Sequence, residues 1–200
     1  MITDDLKSKR IVLLLLKEFS KLHTITSLSK EIKLSRVGIW KILKKLQSKQ
    51  LIKLNPVGSG RTSTTIVNLN LENILVDKLL GLYLMEEAIS QRRWRINFSE
   101  LEELVDFSIL YGSILYSSKA NDIDILCIAK KKQFIKIQAV LDKTQKSQIK
   151  KIHSINFTET EFKRELRRPN KALVDAVKTG IILFGQEEFI QFIKELNKNK

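Results

Sequence analysis

The chain has 200 residues, 43% of them apolar, and carries a formal net charge of +14 at neutral pH. Its length allows one large domain or two small ones, and its apolar content is too high for a disordered chain. A single cysteine and two separated histidines exclude a disulfide framework and argue against a zinc site.

Three features indicate a cytoplasmic protein without membrane contact. Cys127 lies inside an apolar run and is expected to be a small core residue in a reducing compartment. The apolar run 11–16 is too short to span a bilayer, and charges flank it closely. No signal-peptide pattern is present in the sequence.

The positive charge is concentrated in the first third of the chain. Residues 1–70 contain 14 Lys and Arg against 4 Asp and Glu, whereas residues 71–200 contain 22 against 18. This asymmetry predicts that the first third meets a polyanion. The alternatives are solubility alone or a lysine-rich genome, and charge by itself leaves these readings about even.

Residues 1–71 have the pattern of three helices followed by a two-stranded hairpin. Thr26 is predicted to cap the second helix and Ser35 the third. Residues 56–60 form the glycine-rich tip of the hairpin. The expected elements are helices over 6–22, 26–32 and 35–49 and strands over 51–55 and 64–70.

This order of elements, together with the segment LSRVGIWKILKKLQSKQLI, resembles a winged helix-turn-helix domain. Relatives often have glycine where this chain has Gln50, at the end of the third helix. The resemblance implies a DNA-binding domain over residues 1–71 whose third helix enters the major groove. Winged helices are also reused for protein–protein contact, which is the alternative for the whole domain.

Four basic residues are the candidate DNA contacts of this domain. Arg36, early in the third helix, is the best candidate for reading a guanine edge. Lys41 and Lys44 are expected to hold phosphates, and Arg61 at the hairpin tip to reach the backbone or the minor groove. Trp40 either packs against the hairpin, which we favour, or contacts DNA.

Residues 72–98 are predicted to form a connector that consists of one long helix. Its apolar face needs a partner, so it packs between the domains or forms the seam of a homodimer. Arg92, Arg93 and Arg95 near its end either complement the helix dipole, which we favour, or line a groove for a nucleic acid or nucleotide tail. The apolar face comprises Ile74, Leu75, Leu79, Leu82, Met85 and Ile89.

Chemistry is concentrated in the segment 106–130. An apolar strand is predicted to end at the pair Gly112-Ser113, and a second strand begins with Asp122 and Asp124, which point to the same face. Two adjacent carboxylates favour a divalent cation such as Mg²⁺ or Mn²⁺. A glycine turn that opens a short helix lets the backbone approach a phosphate.

Residues 99–200 resemble the minimal nucleotidyltransferases of the DNA polymerase beta superfamily. The motif of that family is matched by Gly112, Ser113, Asp122 and Asp124. The resemblance implies a nucleoside triphosphate bound at the glycine-serine turn and a metal held by the two aspartates. Many relatives carry an Ala-Arg-Gly-like run after the serine, whereas residues 115–117 of this chain are Leu-Tyr-Ser.

A capping box of Ser99 and Glu102 is predicted to open a short helix before the first strand.

The family usually places a third carboxylate on the third strand, predicted here over 149–157, and this chain has no acid there. Asn156 is our prediction for the equivalent position. His153 could act as a base but points to the opposite face from Asn156 in a regular strand. We therefore expect His153 to be a structural or exposed histidine.

The resulting fold class is α+β, with a winged helix-turn-helix joined by a long helix to a small mixed-sheet nucleotidyltransferase-like domain. Three functions are open. The first is a DNA-binding enzyme that transfers a nucleotidyl group to a hydroxyl acceptor. The second is a transcription regulator whose second domain is catalytically silent and senses a nucleotide or dimerises. The third is an antitoxin-like nucleotidyltransferase, for which a toxin partner would be needed.

Overall fold

The computed structural model of the chain describes residues 6–59, 63–168 and 170–198. It is a mixed α+β structure, as expected at the level of α+β content. The chain divides into two compact units, Met1–Tyr83 and Leu84–Lys200, and the division falls inside one helix. No described helix is long and apolar enough to cross a membrane.

Among its described residues the first unit contains three complete helices, the start of a fourth, a two-residue strand and a hairpin. Its core is formed by fully buried aliphatic side chains from all three helices, including Ile11, Leu28 and Leu43. The elements are α1 (Leu6–Lys17), β1 (His23–Thr24), α2 (Ile25–Ile32), α3 (Arg36–Ser48), β2 (Ile52–Val57) and β3 (Thr64–Leu69).

The hairpin strands β2 and β3 pair antiparallel in an unbroken register from Ile52 opposite Leu69 to Val57 opposite Thr64. The short strand β1 adds to the other edge of β3, with His23 opposite Val67. The sheet order is therefore β1-β3-β2. The sequence reasoning predicted the hairpin and missed β1, because two residues carry no readable alternation.

Helix starts in this unit are set by side-chain caps, one of which was predicted wrongly. Ser35 caps α3 as expected, and its hydroxyl accepts from the backbone N–H of Gly38 at 3.1 Å. The cap of α2 is Thr24, which forms a capping box with Ser27, and not Thr26. Thr26 lies within the first turn of α2, where its hydroxyl is free to accept from another side chain.

Helix α3 ends at Ser48, and Gln50, two residues later, adopts the left-handed conformation with φ of 56°. This conformation is the one that glycine favours after the end of a helix. Here the carbonyl oxygen of Gln50 accepts hydrogen bonds from the side-chain amides of Asn70 and Asn73. These two contacts hold the non-glycine residue in place.

The predicted single connector helix over 72–98 is two helices, α4 (Ile74–Ser90) and α5 (Arg92–Asn97), separated at Gln91. The expected apolar face is divided. Leu79 is buried, whereas four other members are more than half exposed. The exposed members are Ile74, Leu75, Leu82 and Ile89.

The second unit is built on a four-stranded sheet of order β6-β5-β4-β7. The pairs β4–β5 and β4–β7 are antiparallel, and β5–β6 is parallel, so the sheet is mixed. Its remaining elements are β4 (Phe107–Tyr111), β5 (Asp122–Ile128), α6 (Phe134–Gln145), β6 (Lys151–Phe157), α7 (Glu159–Arg167), α8 (Lys171–Thr179), β7 (Ile181–Phe184) and α9 (Gln186–Lys198).

Each face of this sheet is covered by its own apolar layer. On one face Ile123, Ile125 and Cys127 of β5 pack in a cluster with Trp94 and Phe98. The opposite face is covered by an aromatic cluster whose rings lie 5.2–6.2 Å apart. The aromatic cluster consists of Phe107, Phe157, Phe162, Phe189 and Phe192.

The helix caps of the second unit agree with the sequence in all but one case. Thr158 and Glu161 form the expected capping box at the start of α7. Asn170 caps α8, as predicted. The capping box expected at Ser99 is absent, since Ser99–Leu101 is a single 3₁₀ turn that follows Phe98 without a side-chain cap.

Candidate functional site

Strand β4 ends at Tyr111, and the next residue, Gly112, forms a tight turn. The φ of this residue is 83°, a value that side chains with a Cβ rarely adopt. A Cβ at Gly112 would collide with Oδ2 of Asp124 and lie 3.3 Å from its Cγ. The glycine is therefore needed twice, once for the backbone conformation and once for the close approach of a carboxylate.

A 3₁₀ helix, Ser113–Leu115, follows the turn. The backbone N–H groups of Tyr116 and Ser117 both donate to the carbonyl of Ser113, at 3.0 and 2.9 Å. The hydroxyl of Tyr116 donates to the carbonyl of Thr179 at the end of α8. These contacts anchor the segment that carries Ser113 against the second unit.

Asp122 and Asp124 lie on the same face of β5, at its N-terminal end. Both are half-buried, whereas Ile123 and Ile125 between and after them are fully buried on the other face. Asp124 is paired with Tyr111, the last residue of β4. Burial, followed by the charge of Asp124, raises the pKa of the Tyr111 hydroxyl. The structure thus brings Gly112 and Asp124 into direct contact.

Strand β6 places His153, and not Asn156, next to the aspartates. In the parallel register Asp124 lies opposite His153, and Nδ1 of His153 is 3.6 Å from Oδ1 of Asp124. Asn156 lies opposite Cys127, whose side chain belongs to the apolar cluster on the other face. The structure therefore does not bring Asn156 to the site, because it is an odd number of residues along the strand from His153.

The two aspartates are the carboxylate donors that the site offers to a metal. Within the described ranges no group of three or more His, Cys, Asp and Glu side chains is arranged to hold a metal ion. Mg²⁺ is commonly bound by one or two carboxylates together with the phosphates of a substrate. The chemistry of the two aspartates fits Mg²⁺ or Mn²⁺ bound in this manner. The carboxylate of Asp124 is 26% exposed and thus open to a ligand.

The first unit offers a second candidate surface, which we call the basic face of α3 and define as Arg36, Lys41 and Lys44. All three side chains are exposed, and α3 has no acidic residue. Arg36 donates to the hydroxyl of Thr26 at 2.6 Å. Lys44 donates to Oε1 of Gln47 and lies 4.7 Å from the centre of the Trp40 ring.

The exposed apolar residues of α3 lie beside this basic face. Trp40 is 38% exposed and Val37 is 66% exposed. The remaining predicted contact, Arg61, lies outside the described residues.

Comparisons of the chain with protein-family models, with curated protein sequences and with solved structures gave no match.

Proposed function

We propose that this chain is a DNA-binding protein whose second unit transfers a nucleotidyl group from a nucleoside triphosphate to a hydroxyl acceptor. Gly112 and Ser113 receive the phosphates. Asp122 and Asp124 hold a divalent cation, Mg²⁺ or Mn²⁺. Such a cation supplies charge neutralisation for the phosphates and for the leaving pyrophosphate.

The observation that carries this proposal is the contact between Gly112 and the carboxylate of Asp124. A glycine turn at the end of one strand and a carboxylate pair at the start of its neighbour are the two halves of a phosphate and metal site. They are ten to twelve residues apart in sequence and meet through the β4–β5 register. A solvated Asp-x-Asp with a structural turn would not require this approach.

In the proposed reaction the acceptor oxygen attacks the α-phosphorus of the nucleotide. A new P–O bond forms, and the bond between the α-phosphorus and the oxygen that bridges to the β-phosphorus breaks. Pyrophosphate leaves, and the acceptor proton passes to water or to a nearby base. In this reaction the turn at Gly112 orients the triphosphate, and Asp122 and Asp124 position the cation that neutralises its charge.

The DNA-binding part of the proposal is supported by the first unit. Three helices and a hairpin form the scaffold, and α3 presents a basic face without acidic residues. A winged helix-turn-helix would place such a helix in the major groove. Arg36 then reads a base edge, while Lys41 and Lys44 hold phosphates.

One observation favours a second candidate, a regulator whose nucleotidyltransferase-like unit is catalytically silent. The strand position beside Asp124 holds His153 in place of a carboxylate. In this candidate the site binds a nucleotide without transferring it. The exposed apolar residues of α4 then support a dimerising role for the regulator.

Labelling separates the two candidates. The purified chain is incubated with each α-labelled nucleoside triphosphate, with Mg²⁺ or Mn²⁺, and with DNA or RNA as acceptor. We expect metal-dependent transfer of label that is abolished in Asp122→Asn and Asp124→Asn and unchanged in Asp142→Asn, an exposed residue of α6. Circular dichroism verifies that each variant is folded.

Absence of label with every nucleotide and acceptor would overturn the enzymatic proposal. Calorimetry then tests the silent regulator. Metal-dependent nucleotide binding that disappears in Asp124→Asn supports a sensor, and absence of binding removes the nucleotide site altogether.

A further inference from the structure

A cavity of about 630 Å³ lies in the second unit, between α5 and the two loops that precede β5 and β6. Its volume falls within the range of about 300–1,000 Å³ that is typical of small-molecule sites. The lining residues are Arg93, Ala120, Asn121, Ser147, Gln148, Ile149 and Lys150.

The cavity is positively charged. Its described lining contains two cationic side chains, Arg93 and Lys150, and no carboxylate. The guanidinium of Arg93 donates to Oε1 of Gln148 at 3.4 Å. The ammonium of Lys150 donates to the carbonyl oxygens of Ser118 and Ala120. All of these acceptors are uncharged, so the two cations are held in place without being neutralised.

The loop that carries Lys150 is fixed in position by one glutamine. The side-chain amide of Gln145 donates to the carbonyls of Gln148 and Lys150, at 3.2 and 3.1 Å. Its oxygen accepts from the backbone N–H of Ile152 at 2.8 Å. A loop that is already ordered loses less conformational entropy when a ligand binds, so the cavity is preorganised.

The chemistry of the lining selects phosphate. Arginine presents parallel N–H groups that match phosphate oxygens, and lysine adds a compact charge. The side-chain amide of Asn121 is a further donor at the wall. The flanking residues in sequence add further positive charge, since three exposed lysines outnumber one aspartate; these are Lys119, Lys146, Lys151 and Asp122.

We propose that this cavity, the Arg93–Lys150 cavity, binds a phosphate group at the N-terminal ends of β5 and β6. Asn121 of its wall directly precedes Asp122 in the chain, whereas Trp94, next to Arg93, packs on the face of the sheet opposite the two aspartates. Any role of the cavity in transfer rests on the proposed function, whereas phosphate binding in the cavity does not. The phosphate belongs either to a nucleoside triphosphate or to the backbone of a nucleic-acid acceptor.

The test measures binding of inorganic tripolyphosphate to the full chain by calorimetry in the presence of EDTA, so that no metal contributes. Wild-type protein is expected to bind it. Arg93→Gln and Lys150→Gln each weaken this binding about tenfold or more, because each loses a charge-assisted hydrogen bond. Arg93→Gln removes one contact to Gln148 but leaves the loop hydrogen bonds made by Lys150 and Gln145 intact, so it is the variant that disturbs the loop least.

One control separates this site from its surroundings. Lys136→Gln removes an exposed charge of α6 that does not line the cavity, and it is expected to bind like wild type. Loss in Lys136→Gln equal to that in Arg93→Gln, or no binding by the wild-type chain, would overturn the proposal.

Competition identifies the source of the phosphate. Displacement of tripolyphosphate by a nucleoside triphosphate in EDTA, and not by a single-stranded oligonucleotide, assigns the cavity to the triphosphate. The reverse result assigns it to the nucleic-acid backbone. Failure of the proposed function alone would leave tripolyphosphate binding intact, while failure of this inference alone would leave metal-dependent nucleotide binding intact.

Discussion

The basic face of α3 and the turn at Gly112 depend on the fold to different degrees. Arg36 and Lys44 are exposed and contact neighbouring side chains. Gly112 is constrained by its backbone conformation and by the Asp124 carboxylate packed against it. The fold of the first unit does not depend on the side chains of the basic face of α3. The turn at Gly112, in contrast, is itself part of the backbone that positions the aspartates.

This difference teaches where mutation separates folding from function. Substitutions on the basic face of α3 are expected to change binding and to leave the fold intact. Substitutions at the turn are expected to change both together, because the same atoms define the backbone and the site. The following predictions test this contrast, from the largest expected effect on folding to the smallest.

Gly112→Ala is expected to have the largest effect. The new Cβ would collide with the Asp124 carboxylate, and the backbone of the turn would hold alanine at a positive φ. We therefore expect the free energy of unfolding to fall by about 1–3 kcal/mol. Metal-dependent nucleotide binding should be lost at the same time. Urea denaturation and calorimetry measure the two effects.

The matched control for this variant is Gly81→Ala in α4. A Cβ at Gly81 meets nothing within 4 Å, and alanine favours the helix, so stability should rise by up to about 1 kcal/mol. Nucleotide binding by Gly112→Ala at wild-type strength would contradict the role of the turn.

The next effect concerns the cap of α2. Thr24→Ala removes the acceptor for the backbone N–H of Ser27 and should reduce the free energy of unfolding by about 1 kcal/mol. Thr26→Ala should cost less than about 0.5 kcal/mol, since the half-buried Thr26 accepts a hydrogen bond from the exposed Arg36 and caps no helix N–H. Equal losses in thermal denaturation would show that the cap has been assigned to the wrong residue.

A smaller effect appears only on acidification and involves His23, which is 3% exposed. Burial lowers the pKa of His23 below its ordinary value, although the nearby Glu18 carboxylate opposes this. The unfolded chain therefore binds a proton at a higher pH than the folded chain. Stability is fully present above about pH 6.5, the ordinary histidine pKa, and is lost as the pH falls toward the folded value.

Two measurements check this sign. The imidazole signals of His23 should titrate below the ordinary range in an NMR experiment on the folded chain. His23→Gln should show a smaller loss of stability between pH 7.5 and pH 5.5 than the wild-type chain, whatever its stability at neutral pH. A steeper loss in the variant would reverse the assignment.

The smallest effects on folding are expected on the basic face of α3. Arg36→Ala and Lys44→Ala should each change the free energy of unfolding by less than about 0.5 kcal/mol. Lys44→Ala should weaken DNA binding evenly across sequences and reduce its salt dependence by about one charge, whereas Arg36→Ala should relax specificity. Equal losses at all sequences in both variants would argue against base readout by Arg36.

Local signals accounted for most of the secondary structure. The strand ending at Tyr111, the cap at Ser35 and the capping box at Thr158 all follow from short-range patterns, and the structure confirms them. The failures occurred where neighbouring patterns compete. Thr24 and Thr26 are equally good caps by composition, and the break at Gln91 has no glycine or proline to announce it.

The position beside the aspartates could not be read from the sequence. Which residue of β6 lies next to Asp124 depends on the parallel register, and a parallel pair is not joined by a short turn that would define it. A choice between His153 and Asn156 therefore required the structure. The Arg93–Lys150 cavity was missed for a related reason, since its two cations are 57 residues apart in sequence.

By itself, the sequence of this protein determined the order of most helices and strands, the basic third helix and the presence of a glycine turn followed by two aspartates. These properties depend on periodicity, capping and charge, which act over a few residues. The tertiary structure alone decided that His153 adjoins Asp124, that Gly112 accommodates its carboxylate and that Arg93 and Lys150 share a cavity. Such contacts depend on strand register and loop placement, which are set by packing across the whole sheet.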